Sequence, residues 1–227
     1  MYQGGGPQTF GALGPALFLG TSNPFSITVY DPFADSIAIV KDGNARPDFE
    51  SPTIVRDGAI AYDRTSTRGV VFVGTDASWT KVYVPTPPNE VFAIAADPSN
   101  GDAFAWLEGP SGGVNIKLYT SPYSTTATQP KKVTSVASLY NYGGGMIANA
   151  GVALLLTSFS TAELVRLSDG WAWSIAAEAT DGWIKPVWVD DNEVWIEVAP
   201  AQWKGQYSNG IVRIQRSSLG PPTIAPN

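Results

Sequence analysis

The chain has 227 residues, 44% of them hydrophobic and 15% charged, a balance that suits a packed core and not a disordered polymer. Its net charge is −6, from 14 Lys and Arg against 20 Asp and Glu, which argues against nucleic-acid binding through a broad basic surface. It holds no Cys and no His, so disulfides, thiolate metal sites and histidine acid–base chemistry are excluded.

Residues 1–10, MYQGGGPQTF, carry no basic start and no long apolar run, so no signal peptide is expected. Short apolar runs then recur along the chain, each followed by a turn and a second run. Residues 10–13 precede Gly14 and Pro15, then 16–19. Residues 58–62 precede a turn over 63–69, then 70–73. Residues 92–96 precede Asp97 to Gly101, then 103–107. Residues 146–148 precede 149–151, then 152–156. Residues 186–189 precede 190–192, then 193–198. Asp, Asn and Gly at these turns fit tight reversals, because Gly tolerates positive φ and Asx side chains bond their own backbone. Third strands are expected at 26–30, 80–84, 114–120, 163–167 and 210–216, and fourth strands at 36–40, 133–139 and 171–176. Residues 114–120 alternate: Val114, Ile116 and Leu118 share one face and Asn115, Lys117 and Tyr119 the other. No helix is expected, and 160–167 reads as strand because Thr and Val favour it. The longest apolar run, 151–156, is far too short to cross a bilayer.

The turn anchors Gly14, Asp63, Asp97, Asn149 and Asp190 lie about 44 residues apart on average, a spacing suited to four-stranded propeller blades. Several units open on slim side chains, as in AIAYD, AIAAD and MIANA. Slim residues suit strands that converge on a common axis. The chain therefore resembles a five-bladed β-propeller, an all-β fold of antiparallel meanders, and 1–227 reads as one such domain with Gly- and Pro-rich arms. A β-sandwich or a pair of small barrels is the alternative. The resemblance rests on pattern, for the Gly-His and Trp-Asp pairs of WD repeats are absent. It implies that Phe72, Phe104, Trp106, Trp188 and Trp195 pack between blades.

No catalytic motif stands out. Asp97, Ser99, Asn100 and Asp102 offer oxygens that calcium favours, but the EF-hand spacing is not met and a hairpin turn uses the same residues. The run Asp190, Asp191, Asn192 and Glu193 reads as a hairpin tip. Asp63, Asp97 and Asp190 are expected at equivalent strand ends, where a five-bladed glycoside hydrolase would keep its carboxylates. Ser158 and Ser160 have no His partner, so a nucleophilic triad is excluded. Gly143, Gly144 and Gly145 lack the strand and helix of a phosphate loop. Among Trp171, Trp173, Trp183, Trp188, Trp195 and Trp203, strand positions suit packing. Trp79 and Trp203 lie in apparent loops and are the candidate interface residues. No metal or cofactor is expected.

These readings point to a non-enzymatic assembly module. The resemblance extends to the small propellers of phage virions, in tail, neck or nozzle, and implies other structural protein chains as partners and a place in the virion. The Gly/Pro-rich ends are expected to be stitched into the fold or against a neighbour. A carbohydrate-binding propeller or a five-bladed glycoside hydrolase is the alternative, with a glycan as ligand.

Overall fold

The structure is a computed structural model. It describes residues 9–13, 16–22, 25–31, 36–39, 49–55, 58–63, 70–74, 79–97, 99, 103–110, 114–124, 130–138, 146–176, 182–200 and 210–227, with side chains from 81 onward except 137–138, 182–183 and 199–200. Nineteen strands are described, in five antiparallel sheets that each follow chain order. The first sheet holds β1 (Thr9–Leu13), β2 (Ala16–Ser22), β3 (Phe25–Asp31) and β4 (Ser36–Ile39). The second holds β5 (Phe49–Val55), β6 (Gly58–Asp63), β7 (Val70–Gly74) and β8 (Trp79–Tyr83). The third holds β9 (Asn89–Asp97), β10 (Ala103–Pro110), β11 (Val114–Ser121) and β12 (Lys131–Ser138). The fourth holds β13 (Met146–Asn149), β14 (Val152–Leu156), β15 (Thr161–Arg166) and β16 (Ala172–Ala176). The fifth holds β17 (Gly182–Val189), β18 (Glu193–Pro200) and β19 (Gly210–Gln215). First strands touch in succession, β1 to β5, β5 to β9, β9 to β13 and β13 to β17. This is the propeller arrangement.

Burial on both faces explains the apolar runs. All five residues of β14 are buried. Val152, Leu154 and Leu156 pack toward the fifth sheet with Ile184, Val194 and Ile196, while Ala153 and Leu155 pack toward the third with Leu107 and Leu118. Strand β10 divides likewise. Phe104 and Trp106 turn toward Val82 and Tyr83 of the second sheet, and Ala105 and Leu107 toward the fourth. A strand sandwiched between sheets has no solvent face, so its pattern is continuous where an edge strand would alternate.

The second sheet departs from expectation. Its first strand is β5, FESPTIV, so 58–62 is the second strand and 80–84 marks the fourth. Pro52 hides β5 from a strand reading, since proline breaks a ladder. It is tolerated because β5 is the edge of its sheet, and the pairing register shifts between Glu50 and Thr53. The last strand ends at Gln215, where Arg216–Leu219 forms a 3-10 turn.

After that turn the chain doubles back. Trp173 Nε1 donates to the Gly220 carbonyl at 2.9 Å, and Ile224 exchanges backbone hydrogen bonds with Ala172. Asn227 then receives the Ser135 N–H at 3.1 Å and donates to Thr134 Oγ1 at 3.1 Å. The C-terminal arm thus straps the outer strands of the fourth and third sheets. Residues 1–8 lie outside the described residues.

Candidate ligand site

Four-stranded meanders bring the chain in and out at one end of each sheet and leave the first turn at the other. The second and third sheets place the expected carboxylates accordingly. Tyr62 pairs with Val70 and Val70 with Tyr83, so Asp63 lies at the entry end. Asp97 closes β9 at the opposite end. The two cannot flank one bond.

Asp97 is buried and fully occupied. Ser99 Oγ donates to Oδ1 at 2.9 Å, and the Gly151 N–H of the fourth sheet donates to Oδ2 at 2.9 Å. The Ala150 N–H donates to Ser99 Oγ at 2.6 Å. Asn149, the equivalent residue of the fourth sheet, donates through Nδ2 to the Val189 carbonyl of the fifth at 3.0 Å. These turn residues therefore act between blades as well as within their own turns. Ala150 and Gly151 both have positive φ, +54° and +71°, as a two-residue type I′ hairpin requires.

Asp190 caps its own hairpin, accepting from the Asn192 and Glu193 N–H groups at 2.8 Å and from Trp188 Nε1 at 3.2 Å. The turn N–H bonds, first of these causes, hold its carboxyl below the usual aspartate range. Glu193 accepts from Arg213, Trp195 and Gln215, and its carboxyl is likewise lowered, chiefly by Arg213. Among the described residues no group of three or more His, Cys, Asp or Glu is placed to hold a metal ion. Asn100 and Asp102 lie outside the described residues.

At the entry end Glu108 is buried and accepts from Tyr83 Oη at 2.7 Å, Asn89 Nδ2 at 3.1 Å and Trp106 Nε1 at 3.3 Å. Burial, then the Glu108 bond, raise the Tyr83 phenol far above its usual range. Trp106 lies between Phe104 and Tyr119, with centroids 5.3 and 5.4 Å away. These groups satisfy one another, which makes the cluster structural.

The opposite end is open. A cavity of about 490 Å³ sits there between the third and fourth sheets. Thr120 and Ser121 close β11, Lys131 opens β12, Ala150 to Val152 form the next turn, and Arg166, Leu167 and Ser168 end β15. Arg216, in the 3-10 turn behind β19, completes the wall. Lys131 Nζ donates to the Ser168 carbonyl at 3.1 Å and Arg216 Nη1 to the Asp190 carbonyl at 2.7 Å. Arg166 grips Asp169 in a two-point ion pair at 2.6 and 2.8 Å, which lowers the Asp169 carboxyl. Among the described residues three cations line this cavity and no carboxylate does.

None of these three residues is conspicuous in the sequence, where they stand 35 and 50 positions apart. Only an alignment of strand ends could find them: Arg166 ends the third strand of its sheet and Arg216 directly follows the third strand of the next. The aromatic expectations fare unevenly. Phe104 and Trp106 are fully buried, but Trp188 is 49% exposed, so it does not pack between blades. Its side of the fifth sheet has no sheet packed over it among the described strands, and Ile211 is 53% exposed. Trp195 is half-buried, with the Arg213 guanidinium 4.9 Å from its ring centre. The Phe72 side chain lies outside the described residues. Trp79 is the first residue of β8, paired with Val73, and not a loop residue. Trp203 lies outside the described residues.

No family model and no curated protein matches the chain. Solved structures do. An oligogalacturonate lyase in complex with manganese has a TM-score of 0.63 at 10% identity, over 92% of this chain and 61% of that one. A streptogramin B lyase has a TM-score of 0.62 at 9% identity, over 92% and 70%. A nidogen–laminin complex has a TM-score of 0.58 at 11% identity, over 82% and 70%. The propeller fold is shared. The chain spans 61 to 70% of the length of these structures.

These neighbours correct the expectation of a non-enzymatic virion module. Two of the three are lyases, and none is a tail, neck or nozzle protein. What these neighbours share with the chain is the fold. No described helix is long and apolar enough to cross a membrane.

Proposed function

We propose that this protein is a carbohydrate-binding propeller, and that its ligand sits in the cavity between the third and fourth sheets. One observation carries this reading: a cavity of about 490 Å³ walled by the polar residues Thr120, Ser121 and Ser168 and by Lys131, Arg166 and Arg216. That volume falls in the range of small-molecule sites, roughly 300–1,000 Å³. Sugar hydroxyls both donate and accept, and serine and threonine hydroxyls match them on either side of the bond. Residues 1–227 are taken as one propeller domain with Gly- and Pro-rich arms. Trp79 opens β8 at the same end, one sheet away, and is the ring to test as a further glycan contact; Trp203 is a second.

The oligogalacturonate lyase among the solved neighbours supports a second reading, in which the bound sugar is also cleaved. Glycoside hydrolysis needs two carboxylates flanking the bond. Among the described residues the wall supplies none, so elimination is the better enzymatic class for this site.

Both readings meet one experiment. The full chain is assayed on a glycan panel and, with the glycans bound, for product formation. Ala103→Trp is the control, because Ala103 lines the cavity and an indole there would fill it. Binding lost in Ala103→Trp with an unchanged melting temperature is the expected result. A chain that binds no glycan, or an Ala103→Trp variant that binds as before, overturns the assignment.

A further inference from the structure

We infer that the cavity selects an acidic sugar, a uronic acid whose carboxylate sits between Lys131 and Arg216. The inference rests on the carbohydrate reading and names its ligand class. The chain carries 20 acidic residues against 14 Lys and Arg, yet among the described residues the wall of this cavity holds three cations and no carboxylate. Those cations come from three separate sheets. Lys131 opens the fourth strand of the third sheet, Arg166 ends the third strand of the fourth, and Arg216 follows the last strand of the fifth.

A structural role accounts for one cation and part of another. Arg166 is matched by Asp169. Arg216 meets the Asp190 carbonyl, which takes one donor of a guanidinium that has five. Lys131 meets only the Ser168 carbonyl among the described residues, and an ammonium has three donors. The Lys131 contact neutralises no charge, and the Arg216 charge is offset only in part, by the nearby Asp190 carboxylate that it helps to keep ionised. An anion in the cavity would receive charge-assisted hydrogen bonds from both, about twice as strong as neutral ones. Thr120 Oγ1 donates to the Phe104 carbonyl and Ser121 Oγ to the Pro122 carbonyl, so the sugar ring is met chiefly by the exposed Ser168 and by the acceptor side of the Thr120 oxygen.

The test uses the full chain and three probes: a uronic-acid trisaccharide, its methyl ester, which keeps the sugar and removes the charge, and inorganic phosphate. Calorimetric titration is run on the natural chain, Lys131→Met, Lys131→Arg and Arg216→Met. The acid is expected to bind at least about tenfold tighter than the ester, the worth of one charged hydrogen bond. Lys131→Met and Arg216→Met are each expected to lose about that factor for the acid alone, and Lys131→Arg to retain the affinity. Acid and ester bound equally, with the Met variants unchanged, overturns the inference and leaves the carbohydrate reading standing. Phosphate bound while neither saccharide is overturns both the carbohydrate reading and the acidic-sugar ligand, leaving a small-anion site between Lys131 and Arg216. Binding of none of the three overturns both.

Discussion

Asp97 is where a turn residue becomes a joint between blades. Its carboxylate takes the Gly151 N–H in a buried setting, so removing it strands a backbone donor. Asp97→Ala is expected to lower unfolding free energy by about 1–3 kcal/mol in urea titration, the cost of an orphaned buried group. Ala150 shows the reverse case. It holds a left-handed φ of +54°, which costs a side-chain-bearing residue roughly 1–2 kcal/mol. Ala150→Asn is expected to raise stability by up to about 1 kcal/mol, because Asn-Gly is the preferred type I′ pair. Glu163 carries a pH signature. Burial raises its carboxyl above the ordinary value, so the folded chain favours the protonated form. Its contribution is full at low pH and is lost as pH rises through that raised value. Glu163→Gln is expected to melt higher than the natural chain at pH 7 and at the same temperature below about pH 4. Equal melting curves at both values would contradict the assignment.

Elements were legible where one force dominated. The runs 92–96, 103–107 and 152–156 are strands because each is buried on both faces, and their apolar continuity says so. Strand β5 was not legible, since Pro52 masks it and its edge position is a property of the finished sheet. Without β5 the second blade reads one strand out of step, and Asp63 falls at the wrong end. The candidate site was less legible still. Lys131, Arg166 and Arg216 share no motif, and what unites them is the end of the sheet at which three different strands stop or start. Trp188 read as packing because it sits in a strand, but its face of β17 meets no further described sheet. The C-terminal arm can be tested at this scale. A chain ending at Gly220 is expected to lose hydrogen-exchange protection at Ala172 and Ser135, whose amides it covers, while β14 keeps its own.

At the scale of the molecule, the sheets behave as a row of nearest neighbours. Three apolar clusters join second to third, third to fourth and fourth to fifth, and hydrogen bonds of Asp97 and Asn149 repeat the link at one end. With no histidine, the chain has no side chain that ordinarily titrates between about pH 5 and 8. The stability of Glu163→Gln is therefore expected to stay level across that range and to fall only in acid, as Asp169, Asp190 and Glu193 lose their hydrogen-bond partners. Thermal melts at unit pH intervals check this, and a slope near neutrality would refute it.

The final residue is moored to Ser135 and Thr134, some ninety positions back along the chain. A load applied to that end would be delivered first to the outer rim of the third sheet and only later to the fifth, from which the arm departs. Tethered by its C-terminus, the molecule would yield by peeling this arm from β12 and then β16, before any meander came apart.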